Sequence, residues 1–215
     1  YYDAVNYYNN DVDAFSKNYD CIPLNGTFTS FKGVNPVYIS SRHSLIDDPF
    51  SNFRYDKGKE RLVYQAMGNV LSYDFGFTSS GTIVLNFKID EINNDNYILS
   101  FSNDESRISL HVSNNKLYLG INNQHYNTEI DVYKGVWHTL SLRFNLNEMD
   151  VAHTFNVSID GNSYSKIVYK DITLDNMEYY LGINIYGSVK YPLYGDIDMI
   201  VYSPDYYSDT DLESI

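Results

Sequence analysis

Residues 135–145 read GVWHTLSLRFN, and the fold is decided there. Val136, His138, Leu140, Leu142 and Phe144 fall on one side of a chain of period two, and Trp137, Thr139, Ser141 and Arg143 on the other. One apolar and one polar side describe a strand that covers a core on a single face. This reading packs His138 inward at the end of a sheet and puts Trp137, the only tryptophan, on the opposite face.

The same period recurs to either side. Ile83, Leu85, Phe87 and Ile89 alternate with Val84, Asn86 and Lys88 in GTIVLNFKID, residues 81–90. Ile108, Leu110 and Val112 do so in RISLHVS, and Leu117, Leu119 and Ile121 in KLYLGI, with Asn114-Asn115 as the turn between them. Phe155, Val157 and Ile159 share a face ahead of an Asp160-Gly161 turn. Leu181, Ile183 and Ile185 form another such set, and Ile197, Met199 and Val201 the last. Residues 60–77 read as two short strands about a Gly68-Asn69 hairpin turn. No window of helical length keeps a 3.6-residue period, although Thr210 and Glu213 have capping-box spacing for a short C-terminal helix. Residues 21–53 are broken up by Gly26, Gly33, Pro36 and Pro49, and residues 1–20 show no sustained period. The expectation is an all-β chain: an irregular lead-in over 1–59, packed on a two-sheet antiparallel β-sandwich over 60–215.

Composition narrows the function. A formal net charge of -13 argues against phosphate-backbone binding, which needs clustered Lys and Arg. No apolar run is long enough to span a membrane, and no signal peptide opens the chain. A start at Tyr1 rather than Met reads as a processed form or a piece of a longer protein. Cys21 is the single cysteine, so no internal disulfide forms, and no nucleophile motif surrounds it. Tyrosine is abundant, at 23 residues, and its flat ring with a polar tip suits both a sandwich rim and a sugar-stacking platform.

In chain order stand Gly81-Thr-Ile-Val-Leu-Asn-Phe87, Tyr97-Ile-Leu-Ser-Phe101, Lys116-Leu-Tyr-Leu119, Trp137-His138, Val157-Ser-Ile-Asp-Gly161 and Tyr194-Gly-Asp-Ile-Asp198. The set resembles the laminin-G-like branch of the concanavalin A-like lectin/glucanase superfamily over roughly residues 60–203. Tyr194 stands where that branch usually has Phe, and the lead-in is not explained by the likeness. The resemblance implies a two-sheet jelly roll used as a non-catalytic binding module on a secreted or cell-surface protein. It also implies a structural Trp137 under a loop and a structural calcium near the closing strand, with Asp198 as the candidate ligand.

Calcium takes six to eight oxygens. Acidic and amide groups cluster at Asp90–Asn96, at Asn103-Asp104, and at Asp196 with Asp198, none with EF-hand spacing. Sugar binding asks for aromatic faces beside amides. Asn122–Tyr126 and Tyr186–Tyr194 have that mixture, so Asn123, Gln124, Tyr126, Tyr186, Tyr191 and Tyr194 are the candidate carbohydrate contacts. A retaining glycosidase needs two close carboxylates. Glu129-Ile-Asp131-Val-Tyr133 offers two on one strand face, with a tyrosine where the laminarinase-type pattern has a third. The five histidines show no metal-ligand spacing. The leading expectation is non-catalytic carbohydrate recognition, with a glycan or a cell-surface protein as partner, and neither nucleic acid nor membrane insertion. A structural or adhesive protein-protein module and a glycoside hydrolase or lyase remain as alternatives.

Overall fold

The computed structural model describes residues 19–40, 52–92, 94–146 and 152–213. Of the lead-in expected over residues 1–59, residues 1–18 and 41–51 lie outside them. One sheet runs, in spatial order, β13 (Asn162–Tyr169), β12 (Ala152–Ile159), β11 (Trp137–Asn145), β6 (Ser80–Ile89), β17 (Gly195–Ser203), β4 (Arg61–Gln65) and β3 (Phe53–Asp56). An eighth strand, β1 (Asp20–Ile22), also pairs with β17. The second sheet runs β10 (Gln124–Asp131), β9 (Lys116–Ile121), β8 (Arg107–Ser113), β7 (Asn96–Ser102), β14 (Glu178–Leu181), β5 (Val70–Tyr73) and β2 (Tyr38–Ser40). A separate hairpin joins β15 (Ile183–Tyr186) to β16 (Val189–Pro192), and a short helix α1 spans Asp209–Glu213. This is the antiparallel two-sheet sandwich expected from the alternation.

The sandwich takes in part of the stretch expected as lead-in. β1 and β3 join the first sheet and β2 the second, so the boundary drawn at residues 59 and 60 falls inside the β3–β4 hairpin.

Alternation puts the core where it was expected. Leu140, Leu142 and Phe144 of β11 are buried, as are Ile83, Leu85, Phe87 and Ile89 of β6 and Phe155, Val157 and Ile159 of β12. Facing them from the second sheet are Ile108, Leu110 and Val112 of β8 and Leu117, Leu119 and Ile121 of β9. Rings bridge the two layers. Phe77 lies 5.3 Å from Phe144 and 5.4 Å from Tyr179, and Phe101 lies 4.8 Å from Tyr179, all edge-on. Each such side chain contributes about 1.5–3 kcal/mol by leaving water. The tight turns fit as well: Asn114-Asn115 and Asp160-Gly161 all have positive φ, as a two-residue hairpin requires.

Four local expectations are overturned. Gly68-Asn69 does not close a hairpin, because β4 lies in the first sheet and β5 in the second. Met67 and Gly68 both take positive φ, Met67 N–H donates to Leu193 O, and the Asn69 side chain caps Gln65 O, so the chain turns a corner between layers. The run Leu181–Ile185 breaks at Gly182 (φ 69°), where a Cβ would stand 2.7 Å from that of Ala66. The set Ile197, Met199 and Val201 is split by a bulge at Met199 (φ 53°). That extra residue flips the parity. Ile197 and Ile200 face the main core, and Val201 packs on the other side with Tyr19 and the buried Cys21. Finally, α1 is capped by Ser208, not Thr210: Asp211 N–H donates to Ser208 Oγ, and Ser208 N–H to Asp211 Oδ2.

Gly195 opens β17 against β6, and a Cβ there would sit 1.9 Å from Lys88 O. Gly195→Ala should lower stability by about 3 kcal/mol or more in urea unfolding, since backbone rather than a side-chain tip must move. A loss under about 1 kcal/mol would contradict the β17–β6 register.

Candidate functional site

The outer faces of the two sheets differ in chemistry. On the eight-stranded sheet, Asp196 and Asp198 of β17 project away from the core yet are fully buried. Arg54 of β3 donates to Asp196 from Nε at 2.9 Å and from Nη2 at 2.5 Å, and also pairs with Asp90. Arg61 Nη2 lies 2.6 Å and Lys59 Nζ 3.2 Å from Asp198 Oδ2. Lys88 pairs with Asp56, which accepts the Trp137 indole N–H at 3.3 Å. The Lys59 and Lys88 ammonium groups lie 4.9 and 5.0 Å from the Trp137 ring centroid. Trp137 is therefore a covered structural ring rather than a sugar platform.

This arrangement bears on the calcium expected at Asp198. Asp198 faces two side-chain cations, and a divalent ion on the same oxygen would have to displace them. Asp198 Oδ1 is buried without a hydrogen-bond partner among the described residues. Among the described residues, no group of three or more His, Cys, Asp or Glu is placed to hold a metal. The residues around Asp198 do not fit calcium.

The seven-stranded sheet presents an open outer face. Its register lines up His125, Gly120, Ser109, Ser100, Tyr180 and Ser72 across six strands. At the centre of this row the side chains are small; a Cβ on Gly120 would meet Ser109 Oγ at 2.3 Å. The next row is aromatic. Tyr97 stacks on His111 at 4.7 Å, and His111 on Tyr118 at 5.3 Å. The β15–β16 hairpin, released by Gly182, crosses β7 above this floor and is pinned by Ser100 Oγ donating to Ile183 O at 2.8 Å. It brings Tyr191 to 5.8 Å from Tyr97 and lays Tyr186 against the Arg107 guanidinium at 3.9 Å.

Between hairpin and floor is a cleft of about 270 Å³, lined among others by Tyr97, Arg107, Asn122, Asn123, Tyr186 and Tyr191. Asn184 reaches into it from β15, beside Tyr97. Burial raises the Tyr97 hydroxyl pKa, so it remains a donor at neutral pH. On the other side of the hairpin a wider cleft of about 670 Å³ is lined by Val37, Tyr38, Val70, Tyr180 and Ile185.

Three of the six sequence-selected residues, Asn123, Tyr186 and Tyr191, meet in the first cleft although they come from distant parts of the chain. Three do not. Tyr126 lies opposite the inward-facing Leu119, packs at the rim of the core, and donates to Gln124 Oε1 at 2.6 Å, so both sit on the other side of the sheet. Lys166 caps the Tyr126 ring at 4.5 Å. Tyr194 is used through its backbone, which accepts from Asp90 N–H and donates to Asn96 Oδ1. The residues missed are Tyr97, Arg107, His111, His125 and Asn184. The alternation that places Ile108 and Leu110 inward puts Arg107, Ser109 and His111 outward, so the signal was present for two of them, Arg107 and His111. Glu129 and Asp131 flank a bulge, with Glu129 at positive φ, and Lys116 pairs with Asp131 at 2.9 Å.

No known protein family matches the sequence. No curated protein matches it either. Solved structures do match in fold. Domain 4 of AbnA, an extracellular GH43 arabinanase of Geobacillus stearothermophilus, in complex with arabinotriose, aligns over 91% of this chain and 96% of its own, with TM-score 0.66 and 18% identity. The CBM40 domain of Ruminococcus gnavus IT-sialidase, bound to α2,3 sialyllactose, aligns over 71% of this chain and 93% of its own, with TM-score 0.55 and 17% identity. A mutant Trypanosoma rangeli sialidase aligns over 90% of this chain and 31% of its own, with TM-score 0.62 and 11% identity. At these identities the likeness is one of fold, a two-sheet antiparallel β-sandwich.

Two expectations follow from the side chains. Asp198→Ala should lower stability by about 3 kcal/mol in urea unfolding, because it removes the carboxylate that Lys59 and Arg61 share. Added calcium should not move the melting temperature of the unaltered protein. His111 is buried, with its pKa lowered to about 4, first by burial and then by His125, against a weaker pull from Asp95. Between the unfolded value of about 6.5 and 4 the unfolded chain holds more protons, so stability is lost as pH falls through that window. His111→Phe, which keeps the stack, should shrink the stability difference between pH 7 and pH 4.5 by about 2 kcal/mol. An unchanged difference would show that His111 is not held neutral.

Proposed function

We propose that this chain is a non-catalytic carbohydrate-recognition module and that the cleft beneath the β15–β16 hairpin holds the sugar. The observation that carries this reading is the convergence of Tyr97, Tyr186 and Tyr191 with Asn122, Asn123 and Asn184 around one cleft. Ring faces match the apolar faces of a pyranose or furanose, and amides match its hydroxyls. The fold supports it, since two of the matching structures are named as complexes with sialyllactose and arabinotriose. The laminin-G-like subdivision rests on motif order alone.

The non-catalytic part of the reading has its own support. Glycoside hydrolysis by the common routes uses a pair of carboxylates flanking the bond. Among the described residues no Asp or Glu lines this cleft, and Glu129 and Asp131 stand on the exposed edge strand β10. A secreted or cell-surface setting within a larger protein suits such a module, and no helix among the described residues is long and apolar enough to cross a membrane. A second reading, a protein-protein module, draws on the exposed Val37, Tyr38 and Ile39 next to the wider cleft.

Tyr186 and Tyr191 are exposed, so removing either ring should leave the fold intact. On a glycan array followed by calorimetric titration of the best binder, Tyr191→Ala and Tyr186→Ala should each weaken binding at least about tenfold. Tyr169→Ala, on the opposite sheet and 71% exposed, should bind normally. Absence of any glycan signal at high protein density would sink the proposal.

A further inference from the structure

We propose that the recognised glycan carries an anionic group, a carboxylate or sulfate on the sugar, and that Arg107 receives it. This rests on the cleft beneath the hairpin being the sugar site. The first ground is a contrast among arginines. In a chain of net charge -13, Arg54 is held by Asp90 and Asp196, Arg61 by Asp198, and Arg143 by Asp209 at 2.6 Å. Arg107 alone of the described arginines makes no ion pair with a described carboxylate; its guanidinium instead stacks on Tyr186 at 3.9 Å.

Stacking uses the face of the guanidinium and leaves its edge of N–H donors available. The base of the side chain is fixed too. Arg107 N–H donates to Asn122 Oδ1 at 2.8 Å, and Asn122 N–H returns a bond to Arg107 O at 2.7 Å. The planar fork is thereby oriented before any ligand arrives, which is the arrangement that suits a planar or tripodal oxyanion.

The second ground is the distribution of charge around it. Arg107 stands between two clefts. The outer one is lined by Asp104, Glu105, Asp175 and Glu178 and would repel an anion. Among the described residues no carboxylate lines the sugar cleft, with Asp95 acting on Tyr97 from outside that lining, so Arg107 is its permanent charge, beside Ser109, Asn122, Asn123 and Asn184. An anionic substituent therefore has one favourable side of Arg107 to occupy, the side where the tyrosines and amides are. The net charge of the whole molecule does not cancel this, because exposed charges more than about 8 Å away are largely screened at physiological salt.

The test pairs neutral and acidic sugars of like size: lactose with sialyllactose and with sulfated lactose, and galactotriose with trigalacturonate. Calorimetric titration of the unaltered protein should favour an acidic member by about 10- to 100-fold, the range for a hydrogen bond to a charged group. The carboxylated and sulfated arms show which oxyanion is meant. In Arg107→Gln the ratio of acidic to neutral affinity should fall to about one, whatever the change in neutral binding itself, and Arg107→Lys should recover only part of the ratio. Equal binding of neutral and acidic sugars, or a preference that survives Arg107→Gln, overturns the assignment while the sugar reading stands. Failure of every sugar to bind overturns both.

Discussion

Two carboxylates on one strand, turned away from the core and still without access to water, set the terms for the rest of the molecule. Asp196 and Asp198 are fully buried, and each leaves its Oδ1 without a hydrogen-bond partner among the described residues. Such a position is tolerable only where cations are brought to it. They come from three places: Arg54 on β3, Lys59 and Arg61 at the β3–β4 turn and the start of β4, and Lys88 on β6. The ladder between β4 and β17 is two residues long, Asp196 with Gln65 and Ile197 with Tyr64. Backbone pairing that short does not hold a strand in register unaided, and the ion pairs fix the early hairpin to the closing strand. Burial pushes the Asp196 carboxyl up and Arg54 pulls it down, with the upward effect larger.

That network also explains why the two outer faces have different uses. On the eight-stranded sheet, cations, carboxylates and Trp137 close on one another and leave little for a ligand. On the seven-stranded sheet the corresponding positions are Gly120, Ser109 and Ser100, too small to fill the space above them. The β15–β16 hairpin takes up part of that space and divides the rest into two clefts. It can do so because Gly182 lets the chain leave the sheet just after β14.

Much of the sandwich was legible because alternation is local: whether a residue faces the core depends on its parity within a strand. The Trp137-His138 and Asp160-Gly161 fragments, separate in the sequence, meet in the fold. His138 Nδ1 is 2.6 Å from Asp160 Oδ2, and Thr139 N–H donates to Asp160 Oδ1. Parity fails where one residue is added or the backbone turns sharply, and Met199, Gly182 and Gly68 are such places. The cleft was half legible for a related reason. Composition picked out Tyr186, Tyr191 and Asn123, but it cannot tell an outward tyrosine from one on the core side, and so it also picked Tyr126. Bringing Tyr97 and Arg107 beside them depends on which strands are neighbours, a property of the topology rather than of any segment.

β1 pairs with the end of β17, Asp20 opposite Tyr202, and the junction is locked by Asp20 accepting from Ser30 Oγ and from the Tyr202 hydroxyl. Entry to and exit from the sandwich are thus side by side, on the sheet that does not carry the cleft. This junction stiffens the face opposite the clefts and leaves the hairpin face clear of the first and last described strands.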